Sequence, residues 1–236
     1  MNKFDFKNKT AVITGGAQGF GLEIAKNFLL SGAKVYIWDI DKSELEKASK
    51  LLNNENLKYN IVDVTKFDEI KKTVDEIIKS NKIDILINNA GYLVNKPFNE
   101  TTLEDFQTVY STNVFSVAML IKNTIDFMES GSNVLNISSI GGIQGSVKFP
   151  GLSAYSSSKG ALNILTEMLA EEYKDRGIHF NSLALGSVQT KMLEKAFPNF
   201  TASTSALEMA EYIYNFSTNG YRLMNGKVIS VSSTTP

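Results

Sequence analysis

The chain has 236 residues, is 43% hydrophobic and carries a formal net charge of −1 from 24 basic and 25 acidic residues. That composition suits one large α/β domain with a sizeable core, weighs against disorder, and gives no sign of a nucleic-acid or anionic-membrane partner. Without cysteine there are no disulfides, thiolate chemistry or cysteine-ligated metal sites, and no metal is expected. Neither a secretory leader nor a run of about 20 apolar residues is present, so a cytoplasmic protein is expected.

Short apolar runs alternate with longer amphipathic stretches, the pattern of successive βα units. The spacing predicts a first strand over residues 10–14, a glycine-rich turn over 15–21 and a helix over 20–31 closed by Gly32. A second strand follows at 34–39, then a helix at 42–52 with Ser43 as its cap. Further elements are a strand at 57–62, a helix at 68–80 and a buried strand at 83–88. A long helical region over 103–128 carries an irregularity near Asn113. A fifth strand at 133–138 leads into a glycine- and serine-rich loop over 139–153. The helix at 154–176 ends at Gly177, and a sixth strand spans 178–185. Residues 187–205 show no clear pattern. A helix at 207–217 and a last strand at 227–231 complete the chain. Seven strands with interleaved helices make a doubly wound parallel sheet, which binds ligands at the carboxyl ends of its strands.

Two motifs carry chemistry. TGGAQGFG, at residues 14–21, follows a strand and opens a helix. There Gly15 permits the tight turn, while Gly19 and Gly21 let backbone approach a pyrophosphate and let helix meet strand. Gln18 and Phe20 lie in the same turn. Asp39 ends the second strand, with Ile40 after it. A carboxylate there binds ribose hydroxyls and repels a 2′-phosphate; Gln18 adds no positive charge, so NAD is favoured over NADP. The second motif pairs Tyr155 with Lys159, four residues on and on the same helix face. A free phenol has a pKa of about 10, and a nearby ammonium favours the phenolate, bringing it closer to working range.

Taken together, these segments resemble the short-chain dehydrogenase/reductase family over nearly the whole chain. Thr14–Gly21 is similar to the family's cofactor turn. Asp63 and Val64 match the dipeptide that contacts adenine, and NNAG (Asn88, Asn89, Ala90, Gly91) the motif after the fourth strand. Asn113 matches the asparagine of the long fourth helix, Ile137–Ser139 the serine motif, and YSSSK from Tyr155 to Lys159 the catalytic pair. The resemblance implies a single Rossmann-type domain over 1–236, with helices on both faces of the sheet and a small substrate lid around 187–217. It further implies Tyr155 as acid/base, Lys159 as electrostatic partner and holder of the nicotinamide ribose, Ser139 as donor to the substrate oxygen, and Asn113 as holder of a water that links Lys159 to solvent. Gly186, Val188 and Thr190 match positions beside the nicotinamide.

Departures from the family's pattern are also present. Ser139 stands three residues farther from Tyr155 than is usual, as an insertion around residues 147–149 would cause, so the active serine is Ser138 or Ser139. Leu185-Gly186 replaces proline-glycine after the sixth strand, and VISVSSTTP replaces the acidic-glycine-glycine ending. His179, Trp38, Phe20 and the stripe Val114, Val117, Ala118, Ile121 are expected to serve packing, the stripe as helix packing or a subunit interface. Glu171 and Glu172 are expected to form a solvated face.

The expected activity is hydride transfer between NAD and a secondary alcohol or ketone. The alternatives are a 3-oxoacyl-type carbonyl reductase, a non-catalytic NAD-binding sensor or scaffold, and a sugar-nucleotide epimerase or dehydratase. The resemblance also implies a homodimer or homotetramer built on the helices at 103–128 and 154–176.

Overall fold

The computed structural model describes residues 6–232. Nine strands and eight α-helices alternate among them. In chain order they are β1 (Thr10–Thr14), α1 (Gly19–Leu30), β2 (Lys34–Asp39), α2 (Lys42–Leu52), β3 (Leu57–Ile61), α3 (Phe67–Ile78) and β4 (Ile85–Asn88). Then come α4 (Leu103–Tyr110), α5 (Ser116–Thr124), β5 (Asn133–Ser139), α6 (Ser153–Glu172), β6 (His179–Leu185), β7 (Val188–Gln189), α7 (Lys191–Ala196), β8 (Thr204–Ser205), α8 (Ala206–Thr218) and β9 (Lys227–Val231).

Seven of the strands form one parallel sheet in the order β3-β2-β1-β4-β5-β6-β9. The order reverses between β1 and β4, which opens a crevice at their carboxyl ends. Central strands read as continuous apolar runs because both faces are covered: TAVIT of β1 and ILIN of β4 are buried at every position. One face packs Ile24 and Phe28 of α1, Leu45 of α2 and Ile213 of α8. The other packs Ile70 and Val74 of α3, Leu120 and Ile121 of α5, and Leu162 of α6. Trp38 is wholly buried in this second layer and Phe20 is partly buried against the first, as packing residues should be. Val117 and Ile121 of the stripe are likewise core.

Local chemistry sets the helix ends. Asp41, rather than Ser43, caps α2: its carboxylate accepts from the Ser43 and Glu44 amides. Reciprocal capping boxes start α4 (Thr102 with Asp105) and α8 (Ser205 with Glu208). The irregularity expected near Asn113 is a π-helical turn, Ser111–Phe115, between α4 and α5. α6 ends at Glu172 and passes through a single 3-10 turn to Gly177, which adopts the left-handed conformation. The patternless stretch after β6 holds the paired strands β7 and β8 and the short helix α7. Each piece is too short to show a hydrophobic period.

Buried polar bonds pin α6 to the sheet. Asn88 Nδ2 donates to Asn136 Oδ1 (2.7 Å), Asn136 Nδ2 to Thr166 Oγ1 (2.8 Å), and Ser182 Oγ to Asn163 Oδ1 (2.9 Å). All five residues are buried. Breaking one such bond strands a partner at a cost of about 1–3 kcal/mol, so the network fixes where α6 presents Tyr155 and Lys159.

Candidate active site

The glycine turn is built for close approach. A Cβ at position 21 would lie 2.3 Å from the Gly15 carbonyl oxygen, so no side chain fits there. At Gly15 φ is +63° and a Cβ would meet Ala90 Cα at 3.0 Å. Gly19 also has positive φ (+58°), yet a Cβ there would find only Thr190 Cγ2, at 3.9 Å. The space over Gly19 is therefore open. Gln18, the N-cap of α1, makes no side-chain cap bond, and no acidic residue lies in the first turn. The first amides and the dipole of α1 thus face that space, as a phosphate requires.

Side chains from neighbouring strand ends brace the turn. Asn89 Nδ2 donates to the carbonyls of Thr14 and Gly15 (2.9 Å each), and Thr14 Oγ1 accepts from the amides of Asn89 and Ala90. Asn89 Oδ1 is buried with no hydrogen-bond partner among the described residues. Asp39 accepts from the Ala17 amide through one oxygen and the Asp41 amide through the other (3.2 Å each), and stays partly exposed. Ile40 beside it is 66% exposed. Asp63 accepts from the amide and hydroxyl of Thr65, and it and Val64 are partly exposed at the end of β3. Open glycine backbone, an uncapped helix start and a carboxylate at the end of β2 together fit a dinucleotide.

The second half of the site faces this one across Gly91. A Cβ at position 91 would lie 3.5 Å from Asn113 Oδ1 and 3.8 Å from Lys159 Nζ. The π turn aims Asn113 at the loop after β4: its side chain accepts from the Tyr92 amide (2.8 Å) and donates to the Tyr92 carbonyl and the Ser158 hydroxyl (2.9 Å each). Lys159 Nζ donates to the Ile137 carbonyl (2.8 Å) and lies 5.7 Å from the centroid of the Tyr155 ring.

The two serines separate cleanly. Ser138 is buried, and its hydroxyl donates to the Lys159 carbonyl of α6 (3.2 Å). Ser139 is partly exposed; its oxygen accepts from the Gly141 amide (3.2 Å), and its side chain sits close enough to Tyr155 to draw the phenol's pKa down. Of the two serines, Ser139 is thus the one whose hydroxyl reaches the Tyr155 end of the cleft. The sequence signal that could have separated them was the strand's alternation: successive residues point to opposite faces.

The protonation behaviour departs from the sequence expectation. Burial pushes the Tyr155 hydroxyl up to about 12, against the downward pull of the Ser139 hydrogen bond. Burial also lowers the Lys159 ammonium to about 8. The lysine spends its hydrogen bond on Ile137 rather than on the phenol, so desolvation outweighs charge for both groups.

Other sequence-selected residues take mixed places. Val188 is buried. Thr190 caps α7 by accepting from the Leu193 amide and reaches over Gly19. Gly186 is needed by the carboxyl-terminal segment as well: a Cβ would lie 2.6 Å from Ser232 Oγ, and its amide donates to the Val231 carbonyl. His179 lies far from this cleft, at the opposite end of the sheet. Its Nδ1 is hydrogen-bonded to the Met224 carbonyl (3.0 Å), and its ring meets Tyr221 edge-on beside a cavity of about 340 Å³. Glu171 and Glu172 are exposed. Among the described residues no group of three or more His, Asp or Glu is placed to hold a metal ion.

Sheet order, glycine turn and the serine–tyrosine–lysine cluster define a Rossmann-type oxidoreductase, and comparison with known proteins specifies the family. The short chain dehydrogenase family model matches residues 9–200. L-2,3-butanediol dehydrogenase from Corynebacterium glutamicum is 37% identical over 196 residues, covering 80% of this chain and 75% of that protein. A 3-oxoacyl-acyl-carrier-protein reductase from Chlamydia trachomatis is 32% identical over 199 residues, covering 81% and 79%. A Brucella melitensis crystal structure described as a short-chain dehydrogenase/reductase, glucose/ribitol dehydrogenase, superposes with a TM-score of 0.89 at 25% identity over 97% of both chains. The chain belongs to the short-chain dehydrogenase/reductase family. It is an oxidoreductase of the alcohol/ketone class that uses a nicotinamide cofactor.

Proposed function

We propose that this chain is an NAD-dependent dehydrogenase/reductase for secondary alcohols and ketones, with Tyr155 as its acid/base. The observation that carries this reading is that Lys159 Nζ lies 5.7 Å from the centroid of the Tyr155 ring and 3.8 Å from where a Cβ on Gly91 would stand, next to Ala90, which packs against Gly15 of the cofactor turn. When bound, the nicotinamide supplies or accepts hydride. Ser139 donates to the substrate oxygen and orients it, while Tyr155 gives that oxygen a proton in reduction or takes one in oxidation. A phenol held near 12 stays protonated at neutral pH but is a weak acid, so proton transfer in either direction depends on charge that favours the phenolate. Lys159 supplies part of it, and Asn113 and Ser158 fix the floor behind the lysine.

Asp39 supports NAD: its oxygens already accept from the Ala17 and Asp41 amides, holding a negative charge where a 2′-phosphate would stand. The cofactor contacts are assigned to Gly15, Gln18, Gly19, Phe20, Gly21, Asp39, Ile40, Asp63, Val64, Asn89, Ala90, Gly91, Tyr155, Lys159, Gly186, Val188 and Thr190. A homo-oligomer is supported by exposed Phe115, Ile164 and Met168 on the α5 and α6 side. A cytoplasmic setting is supported by the absence of cysteine and by the finding that no described helix is long and apolar enough to cross a membrane.

Two variants test the reading. Tyr155→Phe is expected to lower kcat at least a thousandfold on any substrate while leaving NAD affinity within a factor of two, as followed by NADH fluorescence. Full turnover in that protein would end the assignment. In Asp39→Ala the ratio of kcat/KM for NAD to that for NADP should fall by about tenfold or more; an unchanged ratio would remove Asp39 from cofactor choice.

A further inference from the structure

Three loops meet over the Tyr155 end of the cleft and are bonded to one another. Asn95 Nδ2 donates to the Ala196 carbonyl at the end of α7 (2.8 Å), and the Lys96 amide donates to the Gly151 carbonyl (3.0 Å). Val94 packs on Ala154, the residue before Tyr155, and the Leu152 amide donates to the Phe149 carbonyl just ahead of α6. The rim they make carries half-exposed apolar side chains: Tyr92 (45%), Val147 (52%), Phe149 (49%) and Met192 (42%). Tyr92 and Met192 come from two of these loops, and Val147 and Phe149 both come from the third, where the insertion is expected.

The same loops hold four cations, and described bonds engage three of them. Lys96 is held by both oxygens of Asp105 (2.8 Å each). Lys148 donates to the Ile143 carbonyl and the Ser146 hydroxyl of its own loop. Lys191 pairs with Glu44 of α2 (3.4 Å), and Lys195, one helical turn on, shares that face of α7. Apolar surface whose nearby cations are mostly paired favours a substrate that loses little on leaving water and disfavours one that must shed a hydrated anion.

We propose that this mouth selects uncharged secondary alcohols and ketones with apolar flanks, and discriminates against carboxylated or phosphorylated ones. The proposal rests on the reading of Tyr155 as acid/base of this cleft, and Phe149 is its main specificity-determining side chain. Apolar selection at the rim is independent of which cofactor is used.

The test compares two substrates of equal length, 2-octanol and 7-hydroxyoctanoate, each with a secondary alcohol next to a terminal methyl. With NAD present, kcat/KM is expected to be at least about tenfold higher for 2-octanol, and Phe149→Ala should lower that value about tenfold while leaving 2-propanol unchanged. Equal or better use of the carboxylate, or an indifferent Phe149→Ala, would overturn the proposal. A second readout needs no turnover. In Tyr155→Phe protein saturated with NAD, calorimetry should show 2-octanone binding at least about tenfold tighter than 7-oxooctanoate. The reverse order overturns the apolar mouth whatever the kinetics show. A Tyr155→Phe protein with full activity would instead overturn the acid/base assignment and leave this binding order to be judged separately.

Discussion

The two halves of the cleft are held by different kinds of bond. Over the glycine turn, backbone does nearly everything. Gly15, Gly19 and Gly21 are set by φ and by clearances of 2.3–3.9 Å, and Asn89, Thr14 and Asp39 serve mainly to grip main-chain groups. Over Tyr155, side chains and loops decide: a serine beside the phenol, a lysine bonded to a carbonyl, and a rim of partly exposed apolar groups. Backbone geometry tolerates few substitutions, which suits recognition of one fixed cofactor. A rim of side chains changes one residue at a time, which suits varied substrates.

The sharpest way to break this contrast lies on the side-chain half. Ser139→Ala should lower kcat about a hundredfold with little loss of stability, since it removes a donor at the reacting oxygen. Ser138→Ala should do the opposite, costing about 1 kcal/mol in urea unfolding and leaving kcat within a few-fold. If the two exchanged behaviours, the assignment of the active serine would be wrong.

Position matters in another way on the backbone half. Gly21→Ala forces a Cβ against the Gly15 carbonyl and is expected to cost about 3 kcal/mol or more, with loss of cofactor binding. Gly19→Ala meets no atom closer than 3.9 Å, so only its positive φ is penalised, by about 1 kcal/mol. It should fold, yet bind NAD poorly because its methyl enters the space over the helix start. Normal NAD affinity in Gly19→Ala would show that the pyrophosphate lies elsewhere.

A subtler effect follows from the buried lysine. Below about pH 8 Lys159 is protonated in both folded and unfolded chains, and burial of the charge is a full penalty. As pH rises from about 8 towards 10.5 the folded chain releases the proton first, so the penalty fades and stability gains. Tyr155 stays neutral in both states below about pH 9, and its ionisation in the unfolded chain above that is common to parent and variant. Cofactor-free Lys159→Met should therefore be more stable than the parent below pH 8, by at most about 3 kcal/mol, with the gap narrowing by pH 10. A pH-independent difference in urea midpoints would mean that the lysine is not desolvated.

Much of this contrast was legible in the sequence, and the limits were physical. Long apolar runs such as TAVIT and ILIN have one stable setting, a doubly covered parallel sheet, and their order carried the topology. The glycine spacing at 15, 19 and 21 carried the turn because only glycine fits it. Even the π turn showed as a disturbance of the helical period near Asn113. By contrast, α7 spans barely two turns and owes its place, beyond its cap Thr190, to Glu44 and Asn95, partners remote in sequence. The cap of α2 fell to Asp41 because its carboxylate reaches two amides at once. The direction of the Tyr155 shift depended on burial, which leaves no mark on YSSSK.

If one cleft joins the glycine turn to the Tyr155 hydroxyl, a crystal structure of the protein with NAD bound should show the pyrophosphate over Gly19 at the start of α1, the adenosine ribose on Asp39, and the nicotinamide ring beside Ser139, Tyr155 and Lys159. A dinucleotide bound elsewhere, or one whose nicotinamide end lies away from Tyr155, would contradict it.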